Sequence, residues 1–159
     1  REMKAKKDWQ AWDRRGITFD QEEMGYKYQP TDIDASIGLV ALETFDDEIR
    51  HRHELVRLYR TELRNSKFVT LLRKGYSSDW LFMVLVNGDR DKFASYLLDK
   101  GIETNVAHIR NDLFKVFGGR REKLPNMNKI EFKYLCLPLN SKVIKEDVLY
   151  ICKMIQGFK

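Results

Sequence analysis

Residues able to do chemistry gather at two places in this chain. The first is Tyr26-Lys27-Tyr28-Gln29-Pro30, directly ahead of Thr31-Asp32-Ile33-Asp34. Pro30 disfavours helix at Gln29, and Thr31 followed three residues later by Asp34 reads as an N-cap with an acidic partner, so a helix starts at about Asp32. The loop before it lies at the positive end of that helix dipole. With a full charge on Lys27 and an amide on Gln29, it is suited to phosphate. The second place is His108-Ile109-Arg110-Asn111, where the β-prone segment Glu103 to Ile109 gives way to a polar loop. Strand ends that open into loops are where binding groups stand. The plainer readings are interface packing for the tyrosines and a self-bonded loop for the second cluster.

Other reactive side chains point elsewhere. His51 and His53 form an H-x-H, but two positions on a helix are about 200° apart, so the rings cannot share one metal ion. His53 falls on an apolar stripe and reads as a satisfied core histidine, His51 as a solvent group. Cys136 and Cys152 lie in apolar segments without metal-ligand spacing and read as buried, reduced thiols of a cytoplasmic protein. No metal site is expected.

The elements that position these groups follow from periodicity. Residues 1 to 15, with Trp9 and Trp12 on one face, suit a short amphipathic helix, and 17 to 30 read as loop. A helix from Ile33 to Phe45 carries Ala35, Ser36, Gly38 and Ala41, thin enough for close approach by another backbone. A second helix runs from Asp46 to about Asn65, with Ile49, His53, Val56, Tyr59 and Leu63 on its buried face. Phe68 to Leu72 and Trp80 to Val86 form an antiparallel pair across a turn at 75 to 79, and Arg90 to Lys100 is a helix capped by Gly101. Glu103 to Ile109 is read as a third strand and Phe132 to Leu137 as a fourth strand or extended segment. Between them lies a loop from Arg110 to Lys129 with one helical turn at 113 to 117, and Lys145 to Gln156 is a final amphipathic helix. The sum is an α+β fold, one small antiparallel sheet covered by helices.

Composition narrows the function classes. A chain of 159 residues that is 43% apolar and 12% aromatic can bury one core. The longest apolar run, Trp80 to Val86, is far short of the ~20 residues of a membrane helix, and nothing resembles a signal peptide. The net charge of +5 invites a nucleic-acid reading through Lys4, Lys6, Lys7, Arg14, Arg15, Arg120 and Arg121, but 24 acidic residues are interspersed with 29 basic ones, the mark of a solvated surface. No nucleic acid or membrane partner is expected. A chain that begins at Arg1 without Met, inside a charged stretch, suggests a truncated or cleaved product.

The stretch Gly25 to Leu39, G-Y-K-Y-Q-P-T-D-I-D-A-S-I-G-L, resembles one typical of the DegT/DnrJ/EryC1/StrS aminotransferases, pyridoxal-phosphate enzymes that act on nucleotide-linked keto sugars. Leu39 to Arg60 is similar to that family's long helix pair. Gly101-Ile102-Glu103-Thr104-Asn105-Val106-Ala107-His108 resembles its G-I-E-T-x-V-x-H strand, and Leu135-Cys136-Leu137-Pro138-Leu139 its L-x-L-P-L segment. Four motifs occur in the family's order, and they cover its C-terminal portion only.

The resemblance implies that residues 1–30 are a remnant of the preceding large domain, and that 31–159 are the connecting helices and C-terminal small α+β domain of a fold type I enzyme. Arg15-Gly16-Ile17 resembles an element that follows the cofactor lysine, which places that lysine upstream of Arg1. No catalytic residue is then expected in this chain, which would be inactive alone. Gln29 aligns with an asparagine that reaches the cofactor phosphate across a homodimer, with Tyr28 and Lys27 beside it. Tyr26, His108, Arg110 and Asn111 resemble residues on the substrate side. The partners implied are a nucleotide sugar and an amino-group donor, commonly glutamate. Two rivals remain: a sugar dehydratase of the same family, and a non-enzymatic α+β binding module, for RNA for instance. Against RNA, Trp80 to Val86 lacks the Gly-aromatic alternation of an RNA-recognition sheet.

Overall fold

Strand Phe82–Val86 organises the core, because its alternation places Phe82, Val84 and Val86 on one face, where all three are buried. In the computed structural model, which describes residues 30–73, 75, 77–119 and 122–159, this strand is the middle of a three-stranded antiparallel sheet. In chain order, α1 is Asp32–Glu43, α2 Phe45–Glu62, β1 Val69–Leu71, β2 Phe82–Val86, α3 Arg90–Asp99, α4 Pro125–Ile130, β3 Tyr134–Leu137 and α5 Lys145–Gln156, with 3-10 turns at Asn111–Leu113 and Lys115–Phe117. The sheet order is β1-β2-β3, registered by Val69 opposite Val86 and by Val84 opposite Leu135.

Helices α2, α3 and α5 supply the other side of the core. Leu55, Val56, Tyr59 and Leu63 of the α2 segment, Phe93 and Leu97 of α3, and Val148, Ile151, Cys152 and Ile155 of α5 join the apolar face of the sheet in one cluster. The spacings of three, four and seven residues are those of a single helical stripe. The chain divides into two units, residues 1–38 and 39–159, and this core belongs to the second. The expected helix at 1–15, the loop up to Gln29 and its residues Tyr26, Lys27, Tyr28 and Gln29 lie outside the described residues.

Local signals are realised closely. Thr31 and Asp34 close the reciprocal cap: the Thr31 amide donates to Asp34 Oδ2 at 2.9 Å and the Asp34 amide to Thr31 Oγ1 at 3.2 Å. The Asp34 carboxyl is held below its usual value, mainly by the Thr31 backbone N–H. Asp89 caps α3 by accepting from the amides of Asp91 and Lys92. Gly101, at φ +75°, ends it, with Gly101 N–H donating to the Leu98 carbonyl and Ile102 N–H to the Leu97 carbonyl. That double bond needs a left-handed residue, and only glycine takes one without cost.

Several expectations are corrected. Glu103 to Ile109 is not a strand: it touches the sheet through one bridge, Asn105 opposite Cys136, so the sheet has three strands and not four. α4 forms inside the expected loop, started by Pro125 at its first turn, where a missing N–H costs nothing. His51, expected in solvent, donates from Nε2 to the Val143 carbonyl at 2.9 Å, while His53, expected in the core, pairs with Asp79 at 2.5 Å beside a surface cavity. The two rings do take opposite directions, as their spacing requires. α1 has no buried residue, and nothing described lies within 4 Å of a Cβ placed on Gly38.

Candidate functional site

The segment from Val106 to Leu113 crosses the second face of the sheet as a strap. Two anchors hold it. The Tyr134 hydroxyl donates to the His108 carbonyl, and the Arg110 side chain turns inward to a buried ionic cluster. β3 is buried along its whole length for this reason: Leu135 and Leu137 face the core, while Tyr134 and Cys136 lie beneath the strap.

Arg110 is the centre of the arrangement. Its Nε and Nη2 grip Asp112 Oδ1 and Oδ2, each at 2.6 Å. Nη1 donates to Asn128 Oδ1 at 2.7 Å and Glu131 Oε2 at 2.9 Å, and Nη2 also to the Glu122 carbonyl at 3.2 Å. A guanidinium has five N–H groups, and all five are spent. Charge-assisted bonds from Asp112 and then Glu131 raise the Arg110 pKa further above its usual value. The Arg110 fork in turn holds the Asp112 carboxyl at about 2, aided by the Glu122 amide, which donates to Asp112 Oδ2 at 2.7 Å. Arg110, expected on the substrate side, has no donor left for a ligand: it fastens the strap to α4, to Glu131 at its end and to the chain before it.

With Arg110 turned in, its neighbours are presented outward. His108 and Asn111 are exposed and line two concavities, of about 500 Å³ beside Val106 and Phe114 and about 310 Å³ beside Met83 and Tyr134. The exposed Trp80 ring lies 6.0 Å from the His108 ring. Beyond the strap, the 3-10 turn Lys115–Phe117 shows Val116 and Phe117 to solvent, 81% and 62% exposed. Sequence reasoning named His108 and Asn111 but missed the roles of Asp112, two residues from Arg110, and of Asn128 and Glu131, 18 and 21 residues from it. No local signal pairs the last two with the arginine.

The far edge of β3 is held by α2. Tyr59 donates to the Pro138 carbonyl at 2.9 Å, Arg52 to the Leu139 carbonyl at 3.3 Å, and His51 reaches Val143. One helix face thus fixes the chain through 138–143. Burial pushes the Tyr59 phenol above its ordinary range and the Cys152 thiol up to about 12, so neither ionises near neutrality. Both cysteines are buried and free, as expected.

The described residues do not form a seat for pyridoxal phosphate. Every described lysine is exposed, whereas a Schiff-base lysine needs desolvation to lose its proton, and the one buried cation, Arg110, is fully used. Among the described residues no three His, Cys, Asp or Glu side chains gather to hold a metal, and no helix is long and apolar enough to cross a membrane.

Comparison with known proteins matches residues 3–156 to the DegT/DnrJ/EryC1/StrS aminotransferase family. The chain is 28% identical over 138 residues to GDP-perosamine synthase of Escherichia coli O157:H7, covering 85% of this chain and 38% of that protein. It is 27% identical over 161 residues to the uncharacterized protein MJ1066 of Methanocaldococcus jannaschii, covering 93% and 42%. The crystal structure of the sugar aminotransferase CalS13 from Micromonospora echinospora superposes at a TM-score of 0.83 with 27% identity, over 92% of this chain and 40% of that one. The PLP-form of Spr1654 from Streptococcus pneumoniae does so at 0.78 with 26% identity, over 98% and 43%. The chain therefore spans about two fifths of the length of these relatives.

Proposed function

We propose that this chain, which belongs to the DegT/DnrJ/EryC1/StrS aminotransferase family, is the C-terminal part of a longer pyridoxal-phosphate-dependent enzyme that aminates nucleotide-linked keto sugars. The observation that carries this reading is the family match over residues 3–156 in a chain that spans 38% of GDP-perosamine synthase. When bound, the cofactor would supply the electron sink for moving an amino group from a donor such as glutamate to the sugar. In this reading the part contributed here is positioning. Arg110 and Tyr134 hold the strap so that His108 and Asn111 meet the sugar nucleotide at the mouth of the site, and Arg110 itself stays out of contact. Catalytic groups come from the remainder of the parent, and the isolated chain is inactive.

Gln29 is assigned to the cofactor phosphate of a neighbouring subunit in a homodimer, supported by Lys27 and by the helix start at Asp32. Transfer of ¹⁵N from glutamate to a nucleotide-linked keto sugar, followed by mass spectrometry, tests the reading. The parent should transfer label and this chain alone should not. His108→Ala and Asn111→Ala should raise KM with little change in kcat. Mixing a lysine-dead parent with a Gln29→Ala parent should restore activity, because one site in each heterodimer is whole. No recovery despite demonstrated subunit exchange would remove Gln29 from the neighbour's site.

A further inference from the structure

On the face of α2 away from the 138–143 segment, a cavity of about 380 Å³ is lined by three arginines and one histidine. His53, Arg57 and Arg60 fall at i, i+4 and i+7 and so share a helix face, and Arg73 arrives from the chain after β1. One described carboxylate lines the cavity, that of Asp79, and it is taken by His53 at 2.5 Å. Asp79 sits at φ +52°, a left-handed conformation uncommon outside glycine, with its amide donating to Ser77 Oγ at 3.0 Å.

Among the described residues the cations are left without counter-charge. Among the described residues, the Arg57 and Arg73 side chains make no hydrogen bond or ion pair. Arg60 is fixed over the Phe82 ring at 5.9 Å and gives Nη1 to the Leu72 carbonyl at 3.1 Å, yet its Nε is buried with no partner. A buried N–H without an acceptor is unusual in a folded protein. Three guanidiniums around one concavity repel one another unless an anion stands between them.

We propose that this cavity binds a phosphate-class oxyanion, a phosphomonoester or diphosphate group, between Arg57, Arg60 and Arg73. Phosphate is favoured over carboxylate because it offers several oxygens and more than one charge to guanidinium forks arriving from different directions, where a planar carboxylate serves one fork at a time. The floor formed by Val56 and Phe82 is apolar, which strengthens such bonds by keeping water away. The site lies within the second unit and is independent of the aminotransferase reading, so either can fail alone.

The test is calorimetric titration of this chain with sodium pyrophosphate, and with malonate at the same ionic strength. Pyrophosphate should bind saturably at one site, and malonate about tenfold more weakly or not at all. The Arg57→Ala/Arg73→Ala double variant removes two exposed, unpartnered side chains and should keep the wild-type melting temperature while weakening pyrophosphate about tenfold or more. Arg64→Ala, an exposed arginine outside the cavity, should change nothing. In ¹H–¹⁵N spectra the Arg60 Nε–H resonance should shift on titration. Absence of saturable binding, equal affinity in the double variant, equal affinity for malonate, or an unmoved Arg60 Nε–H at saturation would each overturn the proposal.

Discussion

Tyr59→Phe isolates the bond that ties helix α2 to the chain after β3. The Tyr59 side chain is fully buried, its ring stacked on Phe82 at 4.7 Å and 12°, and its hydroxyl donates to the Pro138 carbonyl at 2.9 Å. Phenylalanine keeps the stack and removes one donor. A net hydrogen bond is worth about 0.5–1.5 kcal/mol, and an acceptor left unmade inside the protein costs about 1–3 kcal/mol. Pro138 is half-buried, so water reaches the carbonyl in part and the lower range applies, about 1–1.5 kcal/mol. Unfolding a body of roughly 120 residues releases about 0.25 kcal/mol per degree, so the midpoint should fall by about 5 °C.

Thermal unfolding followed by near-ultraviolet circular dichroism checks the value. Tyr59→Leu, which also loses the aromatic stack and leaves a void, should cost more, about 3 kcal/mol. A second readout is alkaline. The raised Tyr59 pKa gives stability that is present below the unfolded value near 10 and is lost as pH climbs from there toward the folded value. Tyr59→Phe should lack that contribution. A midpoint drop under about 1 °C, with an unchanged alkaline limb, would refute the assignment of this bond as a tie between the two segments.

Acid should release the strap before it unfolds the core. Asp112 has its folded pKa depressed to about 2, so its contribution is present above the unfolded value near 3.9 and is lost as pH falls from about 4 toward 2; amide exchange of 109–113 should quicken in that window while β2 stays protected, and equal quickening of both would contradict the Arg110 anchor. Helix α1 presents Ile33, Ile37 and Val40, each at least 64% exposed, at steps of four and three residues. Light scattering across a dilution series should show self-association that Ile37→Glu abolishes, and a monomer at all concentrations would contradict a self-associating face.

Elements governed by neighbours in sequence were legible from sequence alone. The Thr31–Asp34 cap, the Asp89 cap, the Gly101 terminus, the alternation of β2 and the stripe of α5 all depend on residues within one or two turns of each other, and each formed as its residues dictate. The family resemblance was legible for the same reason, since its motifs are contiguous.

What the tertiary structure decided is where two rules of equal local weight competed. Glu103 to Ile109 has strand composition, but Tyr134 and Arg110 draw the chain away after a single bridge at Asn105, so it becomes a strap. On α2 the expected stripe holds at Val56, Tyr59 and Leu63, which are buried together with Leu55, but not at His53, which pairs with Asp79, while His51 reaches Val143. Arg110 shows the limit most clearly, because an arginine at a strand end looks the same in sequence whether it meets a ligand or a cluster. Its five acceptors come from positions as far as 21 residues away, and a charge can be buried only where the fold brings such acceptors together.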